Sequence, residues 1–367
     1  MKLGMFMMPL HHPSRNLTEA LEEDLQTVID ADELGWDEMW VGEHYTATTE
    51  PITSSLVFMA RAIERTRRIK LCAGVLNLPQ NHPVRAAGDA AMFDHLARGR
   101  FIMGIGPGGL PSDLEAFRTD PPESRGERML ECLDMMLALW QKDPPHHLLG
   151  KYWTVDIERS VQSTYGLGHC IRPYQQPHPP IAVSVVNPGS FMARVAGERG
   201  WGFISAPFAP ETYLPSHFKA YCEGAQKAGR VPDPSQWRCG RTVIVGATDT
   251  EAEDYALDPN GQVHYYYDYL LSVMRAGGIL KMLKCDPSMP DEQFTPSQAI
   301  RERVIWGSPQ RVLDQLVALR ERVGPFGGLV TSAFDHGGVK RERESMRLLA
   351  EQVMPGFRRA VGVALSS

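Results

Sequence analysis

The stretch MKLGMFMMPLHHPSRNLTEALEEDLQTVIDADELGWDEMWVGEH, residues 1–44, contains one complete strand–helix–strand unit. Residues 2–8 are an apolar run of the kind that forms a buried strand. Apolar residues then recur at helical spacing over residues 17–34, and Gly35 stands where a helix C-terminal cap belongs. A second apolar run, residues 38–41, predicts the next strand. Two strands joined by a helix in this order are typical of a parallel sheet.

The same unit repeats along the chain. We predict eight strands, at residues 2–8, 38–41, 69–75, 101–105, 181–186, 202–205, 241–246 and 327–332. About eight helices follow them, at residues 17–34, 54–65, 84–96, 124–140, 190–198, 211–228, 308–319 and 341–360. Eight βα units in a chain of 367 residues fit an α/β TIM (β/α)8 barrel better than a doubly wound sheet. Barrel active sites lie in the loops that follow the strands.

Two segments rich in turn residues interrupt the repeat, at 143–180 and 255–305. We expect both to be insertions in a single barrel domain that spans residues 1–367. The second lies between the seventh strand and its helix, which places it at the catalytic rim of the barrel. It is a candidate lid, although a rigid helical excursion or a dimer contact is an equal alternative.

The composition limits the binding partners and the cellular compartment that we expect for this protein. The net charge of −6 arises from interspersed acids and bases without a basic stripe, so neither nucleic acid nor a membrane is an expected partner. The N-terminus lacks the apolar core of a secretory signal, and no apolar run approaches 18 residues. We therefore expect a cytoplasmic protein.

Metal and disulfide chemistry are not indicated. The six cysteines are scattered without a CxxC pair, and the twelve histidines form no HExxH motif. We expect free thiols and no metal site.

The segment GIGPGG, residues 104–109, follows a predicted strand and satisfies the GxGxxG pattern. A dinucleotide-binding fingerprint opens a helix in the first βαβ unit, whereas three βα units precede this one and Pro111 follows it. We interpret its glycines, Gly106 among them, as allowing the backbone to approach a flat ligand closely.

Two further loops contain candidate functional groups. SVVNPGS, residues 184–190, joins a strand to a helix N-terminus, which is either a phosphate site or an ordinary capped turn. Glu43 and His44 follow the second strand directly. A histidine at this position is about equally a catalytic group and a hydrogen-bonded structural one.

Several stretches together resemble the bacterial luciferase-like flavin monooxygenases, and in type the limonene and diketocamphane monooxygenases. The resemblance covers nearly the whole chain in order and is weakest across the two insertions. It rests on MKLGMFMMPLHHP, GWDEMWVGEHY, LPQNHPVRAAGDAAMFDHLARGRFIMGIGPGG, PYQQPHPPIAVSVVNPGS and QVMPGF.

The resemblance implies a TIM barrel that uses reduced FMN (FMNH2), supplied by a separate NAD(P)H-dependent flavin reductase. It implies that O2 adds to the flavin to give a C4a-(hydro)peroxide, which oxygenates an organic substrate. A flavin performs the difficult oxygen chemistry, while the protein supplies orientation and excludes water. The expected assembly is a homodimer.

The resemblance also assigns residues. Glu43 and His44 match the EH pair of the family, whose histidine acts in proton transfer near the flavin. Gly74 and Val75 match a dipeptide that lies against the isoalloxazine ring, often with a cis peptide bond. Further matches are Arg125, a basic residue near the cofactor, and the phosphate cradle Val185, Val186, Gly189 and Ser190.

The substrate is not readable beyond its class. Pro9, His11, His12 and His336 are expected on loops after the first and last strands, around an otherwise apolar mouth. They suggest a hydrophobic substrate with one or two polar groups, such as a terpenoid, a cyclic ketone or a polyketide-like molecule. The alternatives are a deazaflavin (F420)-dependent oxidoreductase of the same superfamily and a flavin-binding protein without catalysis.

Overall fold

The computed structural model describes residues 1–119, 124–335 and 339–362, in which strands and helices alternate. The strands are β1 (Lys2–Met7), β2 (Glu38–Val41), β3 (Lys70–Ala73), β4 (Leu76–Asn77), β5 (Phe101–Gly106), β6 (His146–Leu149), β7 (Thr154–Ile157), β8 (Ile181–Val185), β9 (Gly202–Ser205), β10 (Trp237–Val245), β11 (Val304–Gly307) and β12 (Gly328–Ser332).

The helices of the same residues surround these strands. They are α1 (Leu17–Glu33), α2 (Ser55–Ile63), α3 (Pro83–Leu96), α4 (Pro111–Ala116), α5 (Arg125–Gln141), α6 (Phe191–Arg199), α7 (Leu214–Lys227), α8 (Asp249–Leu257), α9 (Gln262–Ala276), α10 (Pro296–Arg303), α11 (Pro309–Val323), α12 (Val339–Leu348) and α13 (Met354–Ala360). In the described ranges, none of them combines the length and the apolar character that crossing a bilayer requires.

Eight of the strands close into a parallel barrel, which confirms the predicted fold class. Their order around the barrel is β1, β2, β3, β5, β8, β9, β10 and β12, and β12 pairs with β1 again. Every pairing between these neighbours is parallel. The carboxyl ends of all eight strands therefore meet at one rim.

Helix α1 shows how local sequence sets an element. The Asn16 side chain accepts hydrogen bonds from the amides of Thr18 and Glu19, so it caps the start of the helix. Gly35 follows the helix with φ of 78°, a left-handed conformation that glycine adopts at low cost. Between these ends, Leu25 and Val28 are buried in the core between the helix and the barrel.

The barrel interior is filled rather than open. Its main layer consists of Trp40, Cys72, Ile102, Ala182 and Val330, and Phe6 and Ile204 pack on it. A two-point ion pair supports this layer, since the Arg238 guanidinium donates to both carboxylate oxygens of Glu38 at 2.7 and 3.1 Å. The indole of Trp40 donates to the same carboxylate at 2.9 Å.

The structure differs from the sequence prediction mainly around the second insertion. Strand β10 begins at Trp237 instead of residue 241, and β11, which was not predicted, pairs with the second half of β10. Residues 255–305 contain α9 and α10, which form with α8 a small apolar cluster that also includes Ile244 of β10 and Val304 of β11. The short apolar segment VIWG of β11 follows a helix directly, so no turn signal separates the two in the sequence.

Two smaller differences concern the first insertion and the last predicted helix. Residues 143–180 include the antiparallel hairpin β6–β7, where only an irregular excursion was expected. The predicted helix at residues 341–360 is divided into α12 and α13 by a π-helical segment at Leu349–Val353. The π-helical segment LAEQV contains no Gly or Pro, so no helix-breaking signal in the sequence marks it.

Gly104 of β5 is required by the close approach of β3. A Cβ at this position would overlap the backbone carbonyl oxygen of Ala73, which cannot move without breaking the sheet. We expect Gly104→Ala to lower the free energy of unfolding by about 3 kcal/mol, the upper range for overpacking. Urea unfolding monitored by circular dichroism measures this loss. Gly126→Ala in α5 is the control, because nothing lies within 4 Å of its Cβ position. Equal stability of the two variants would contradict the strand-contact role of Gly104.

Candidate active site

The rim at the carboxyl ends of the strands contains an opening with an apolar floor. Phe6, Gly74, Val75, Ser184 and Ile204 are partly exposed there, although the strands around them are buried. Phe6 and Ile204 pack on the filled layer below, which closes the opening at its base. An apolar floor bordered by polar loops suits a flat aromatic ligand.

His44 lies at the same rim, in the loop after β2, between two carboxylates. Its Nδ1 lies 3.1 Å from Asp113 Oδ2, and its Nε2 lies 3.9 Å from Glu50 Oε2. Burial disfavours the charged imidazolium, but the hydrogen bond to Asp113 and the charge of Glu50 outweigh burial and raise the pKa of His44. The His44 side chain is 17% exposed, so it remains accessible from the rim.

Asp113 was not identified from the sequence. It lies in α4, four residues after GIGPGG, and also accepts hydrogen bonds from the backbone amides of Tyr45 and Thr46 and from the Thr46 hydroxyl. Burial opposes its ionisation, but the bonds from His44 and Thr46 outweigh burial and lower the pKa of Asp113. Its only sequence signal is an acid soon after a glycine-rich strand end, which is common on protein surfaces.

Glu43, predicted with His44, points in another direction. Its Oε2 accepts from the Ser55 amide and hydroxyl at 3.0 and 2.9 Å, and its Oε1 accepts from the Asn77 amide at 3.2 Å. Burial raises the pKa of Glu43 in spite of these donors. Glu43 thus joins the start of α2 to β4 and holds the loop from which His44 projects.

Val75 lies next to Gly106 of β5. The Gly74–Val75 peptide bond is cis, which confirms the expectation drawn from the resemblance. A Cβ on Gly106 would collide with the side chain of Val75 and lie 3.3 Å from Ser184 Oγ. The ends of β3, β5 and β8 are therefore in contact at the opening.

The glycines of GIGPGG have a partly different role from the one predicted. The space beside Gly104 is occupied by Ala73 and that beside Gly106 by Val75, so both allow strands to approach each other. Nothing lies within 4 Å of the Cβ position of Gly109. Among the three glycines of the GxGxxG pattern, close approach to a ligand is sterically open at Gly109.

Arg125 lies at the start of α5, and its Nη1 donates to the Gly108 carbonyl at 3.3 Å. Gln80, which sequence reasoning missed, is close to the same loop: a Cβ at Gly108 would lie 3.3 Å from Gln80 Nε2. Both polar atoms of the Gln80 amide are buried without a hydrogen-bond partner among the described residues. Because buried amides are normally paired, this group is available to a polar ligand atom or water.

The β8–α6 loop places Val185, Val186, Gly189 and Ser190 at the same rim. Ser190 caps α6 by accepting from the Ala193 amide, and the Gly189 amide donates to Ser216 Oγ at 3.0 Å. Gly189 has φ of 61° and open space around its Cβ position. The loop is therefore a capped turn with an exposed face.

The predicted substrate-pocket residues separate into different environments. His11 is buried, with Nδ1 2.8 Å from Asp335 Oδ2 and Nε2 3.2 Å from Asp24 Oδ2, so both of its ring nitrogens are occupied. This clamp between α1 and the loop after β12 differs from the expected pocket position. Pro9 is buried, and His12 is exposed. His336 lies outside the described residues.

Helix α9 of the second insertion lies across the rim. The ring centroids of Tyr265 and His12 are 6.0 Å apart, and those of Tyr266 and Phe334 are 5.4 Å apart. The Tyr269 hydroxyl donates a hydrogen bond to Glu50 Oε2 at 2.7 Å. Helix α9 therefore contacts the loops after β1, β2 and β12. The insertion is thereby hydrogen-bonded to the loop that carries His44.

Comparison with known proteins identifies the family. A model of luciferase-like monooxygenases matches residues 1–325. The chain is 31% identical to 4-hydroxyprotoasukamycin monooxygenase of Streptomyces nodosus subsp. asukaensis, over 96% of this chain and 91% of that protein. It is 30% identical to limonene 1,2-monooxygenase of Rhodococcus erythropolis, over 99% of this chain and 88% of that protein.

A solved structure extends this similarity to the whole fold. It is the oxygenating constituent of 3,6-diketocamphane monooxygenase from Pseudomonas putida, a type II Baeyer–Villiger monooxygenase in complex with FMN. The TM-score is 0.86 at 26% identity, covering 100% of this chain and 99% of that one.

The His11 clamp predicts a fall in stability at alkaline pH. Burial opposes the charged ring, but the bonds to Asp24 and Asp335 raise the pKa of His11 from 6.5 to about 9. Its contribution is therefore complete below about 6.5 and is lost as the pH rises through about 9. Glu342 acts in the same direction, because burial raises its pKa to about 8. His11→Gln should flatten the dependence of the urea midpoint on pH between these limits.

The exposed His147, which pairs with Asp156 on the β6–β7 hairpin, supplies the control. His147→Gln should retain the alkaline slope of the wild-type protein. An unchanged slope in His11→Gln would show that the clamp does not contribute to folding.

Proposed function

Because this chain belongs to the luciferase-like monooxygenase family, we propose that it is a two-component FMNH2-dependent monooxygenase that uses O2 to oxygenate a hydrophobic small molecule. The observation that supports this function best is the position of His44. A histidine with a raised pKa, fixed by Asp113, lies at the same rim as an apolar opening formed by the ends of β1, β3, β8 and β9. Such a site combines a proton donor with room for a flat cofactor.

The residues of the rim fit FMN. The partly exposed Gly74 and Val75 would contact the isoalloxazine ring, and the Gln80 amide has unpaired donor and acceptor atoms suited to a polar edge. Gly189 and Ser190, at the start of α6, would hold the phosphate, since helix N-terminal amides favour an anion. Arg125 would add positive charge. When bound, reduced FMN supplies the electrons that activate dioxygen for oxygenation.

His44 supplies the acid–base function. Asp113 holds Nδ1, which leaves Nε2 as the atom that gives or takes a proton at the opening. Glu43 is 5% exposed and acts as a positioning residue, through the loop that it fixes to Ser55 and Asn77.

The reductant and the substrate are inferred from relatives and from the rim. The diketocamphane enzyme is described as an oxygenating constituent, which supports a separate NAD(P)H-dependent flavin reductase as the partner here. The apolar floor and the aromatic side chains of α9 favour a hydrophobic substrate of the terpenoid, cyclic ketone or polyketide-like class.

His44→Ala should slow product formation by about 100-fold, the usual scale for loss of an acid–base group, while FMNH2 binding changes little. The measurement is incorporation of labelled oxygen from O2 into a panel of ketones and alkenes, with a flavin reductase and NADH present. His147→Ala, at an exposed histidine of β6 that pairs with Asp156, is the matched control. Near-normal turnover of His44→Ala would remove this residue from the mechanism. Turnover with reduced F420 in the absence of oxygen would instead support the deazaflavin alternative.

We also propose a homodimer built on α2 and α3. These helices expose Val57, Met92 and Leu96, of which 71%, 53% and 52% is accessible. Val57 also borders a groove of about 430 Å³ between the two helices and another of about 360 Å³ beside α1. An apolar, grooved face of this kind on one surface suits a second copy related by twofold symmetry.

Val57→Lys combined with Met92→Lys should convert the dimer to a monomer, because two buried charges would face each other across the symmetric contact. Light scattering after size exclusion measures the mass. Leu149→Lys, an exposed apolar site on β6, should leave it unchanged. A wild-type mass of a single chain would refute the dimer.

A further inference from the structure

A hydrogen bond links the second insertion to the loop that carries His44. The Tyr269 hydroxyl of α9 donates to Glu50 Oε2 at 2.7 Å, and this same oxygen lies 3.9 Å from His44 Nε2. Glu50 is 4% exposed, so its carboxylate has little contact with water. Tyr269 is therefore the donor that holds a buried carboxylate against the imidazole.

Among the described residues, three carboxylates act on His44. Asp113 of α4 contacts Nδ1, Glu50 of its own loop faces Nε2, and the Glu43 charge acts from the preceding position. Glu50 in turn is influenced by His44, Tyr269 and Asp113. The only one of these groups contributed by the insertion is Tyr269.

We propose that Tyr269 is a positioning residue that sets the protonation state of His44 through Glu50, so that the position of α9 over the rim controls the acid–base state of the site. The catalytic consequence of this coupling rests on the proposed function. The coupling itself is a property of three side chains and does not require a bound flavin.

The direction of the effect follows from the hydrogen bond. Donation from Tyr269 favours ionised Glu50, although burial acts in the opposite direction and raises the pKa of Glu50 overall. Burial and the nearby Glu50 raise the pKa of Tyr269, so its hydroxyl stays protonated and remains a donor. Ionised Glu50 favours the protonated imidazole. Without the Tyr269 hydrogen bond, the protonated His44 ring therefore loses its proton more readily.

A substrate that enters beneath α9 displaces the helix and so disturbs the hydrogen bond between Tyr269 and Glu50. The helix also contacts His12 and Phe334 through Tyr265 and Tyr266, so displacement of α9 changes three loops together. Moving Tyr269 away from Glu50 releases the carboxylate from His44. The imidazolium then loses its Nε2 proton to solvent or to substrate more readily, which couples entry of the substrate to proton transfer.

The test measures the pKa of His44 in the full-length protein by NMR of ring-labelled histidine, with His44→Gln assigning the resonance. Tyr269→Phe should shift the titration of His44 to lower pH, and Glu50→Gln should shift it in the same direction. Tyr265→Phe, a neighbouring tyrosine of α9 that faces His12, should leave it unchanged. In the Glu50→Gln background, Tyr269→Phe should have no further effect, because Tyr269 acts through Glu50.

A His44 titration in folded Tyr269→Phe that matches wild type would overturn the proposal. So would an equal shift from Tyr269→Phe with and without Glu50, because that result would mean that Tyr269 acts on His44 by another route. These outcomes are independent of turnover: a shifted titration in a protein that fails to oxygenate any substrate would refute the proposed function and retain the coupling. An unchanged titration in a protein that does oxygenate a substrate would refute the coupling and retain the proposed function.

Discussion

Closure of the parallel strand ladder is the constraint on which the rest of the molecule depends. Strand β10 pairs with β9 on one side and with β12 on the other, so eight strands form a complete ring. Because all of them run in one direction, each loop that follows a strand begins at the same rim. This closure brings together groups that are distant in the sequence, such as His44 and Tyr269.

The rim is organised by buried carboxylates more than by the histidine between them. Glu43 joins the start of α2 to β4, Asp113 binds three successive groups of the 44–46 loop, and Glu50 receives the bond from α9. A buried carboxylate is costly unless donors surround it. Each acid therefore fixes the loops that supply its donors, and the orientation of His44 results from all three.

The barrel and the class of chemistry follow from the family, and the second insertion adds further contacts at the site. Helices α8, α9 and α10 share an apolar cluster with Ile244 of β10 and Val304 of β11, and α9 contributes three aromatic side chains to the rim. The Tyr269–Glu50 hydrogen bond joins this helix to the loop that carries His44. Such an arrangement suits an enzyme that must admit an organic substrate and then exclude water.

Periodicity in the sequence was sufficient for the barrel, because apolar runs and amphipathic helices are local patterns set by the need to bury one face. The EH pair after the second strand likewise placed His44 at the rim. The partners of His44 were not predictable: Asp113 and Glu50 look like ordinary surface acids, and only closure of the barrel buries them beside the imidazole. For the same reason His11 was expected in an open pocket, whereas the fold encloses it between Asp24 and Asp335. Burial and pairing are long-range properties, so the tertiary structure alone decided which of these polar residues face the opening and which hold it in place.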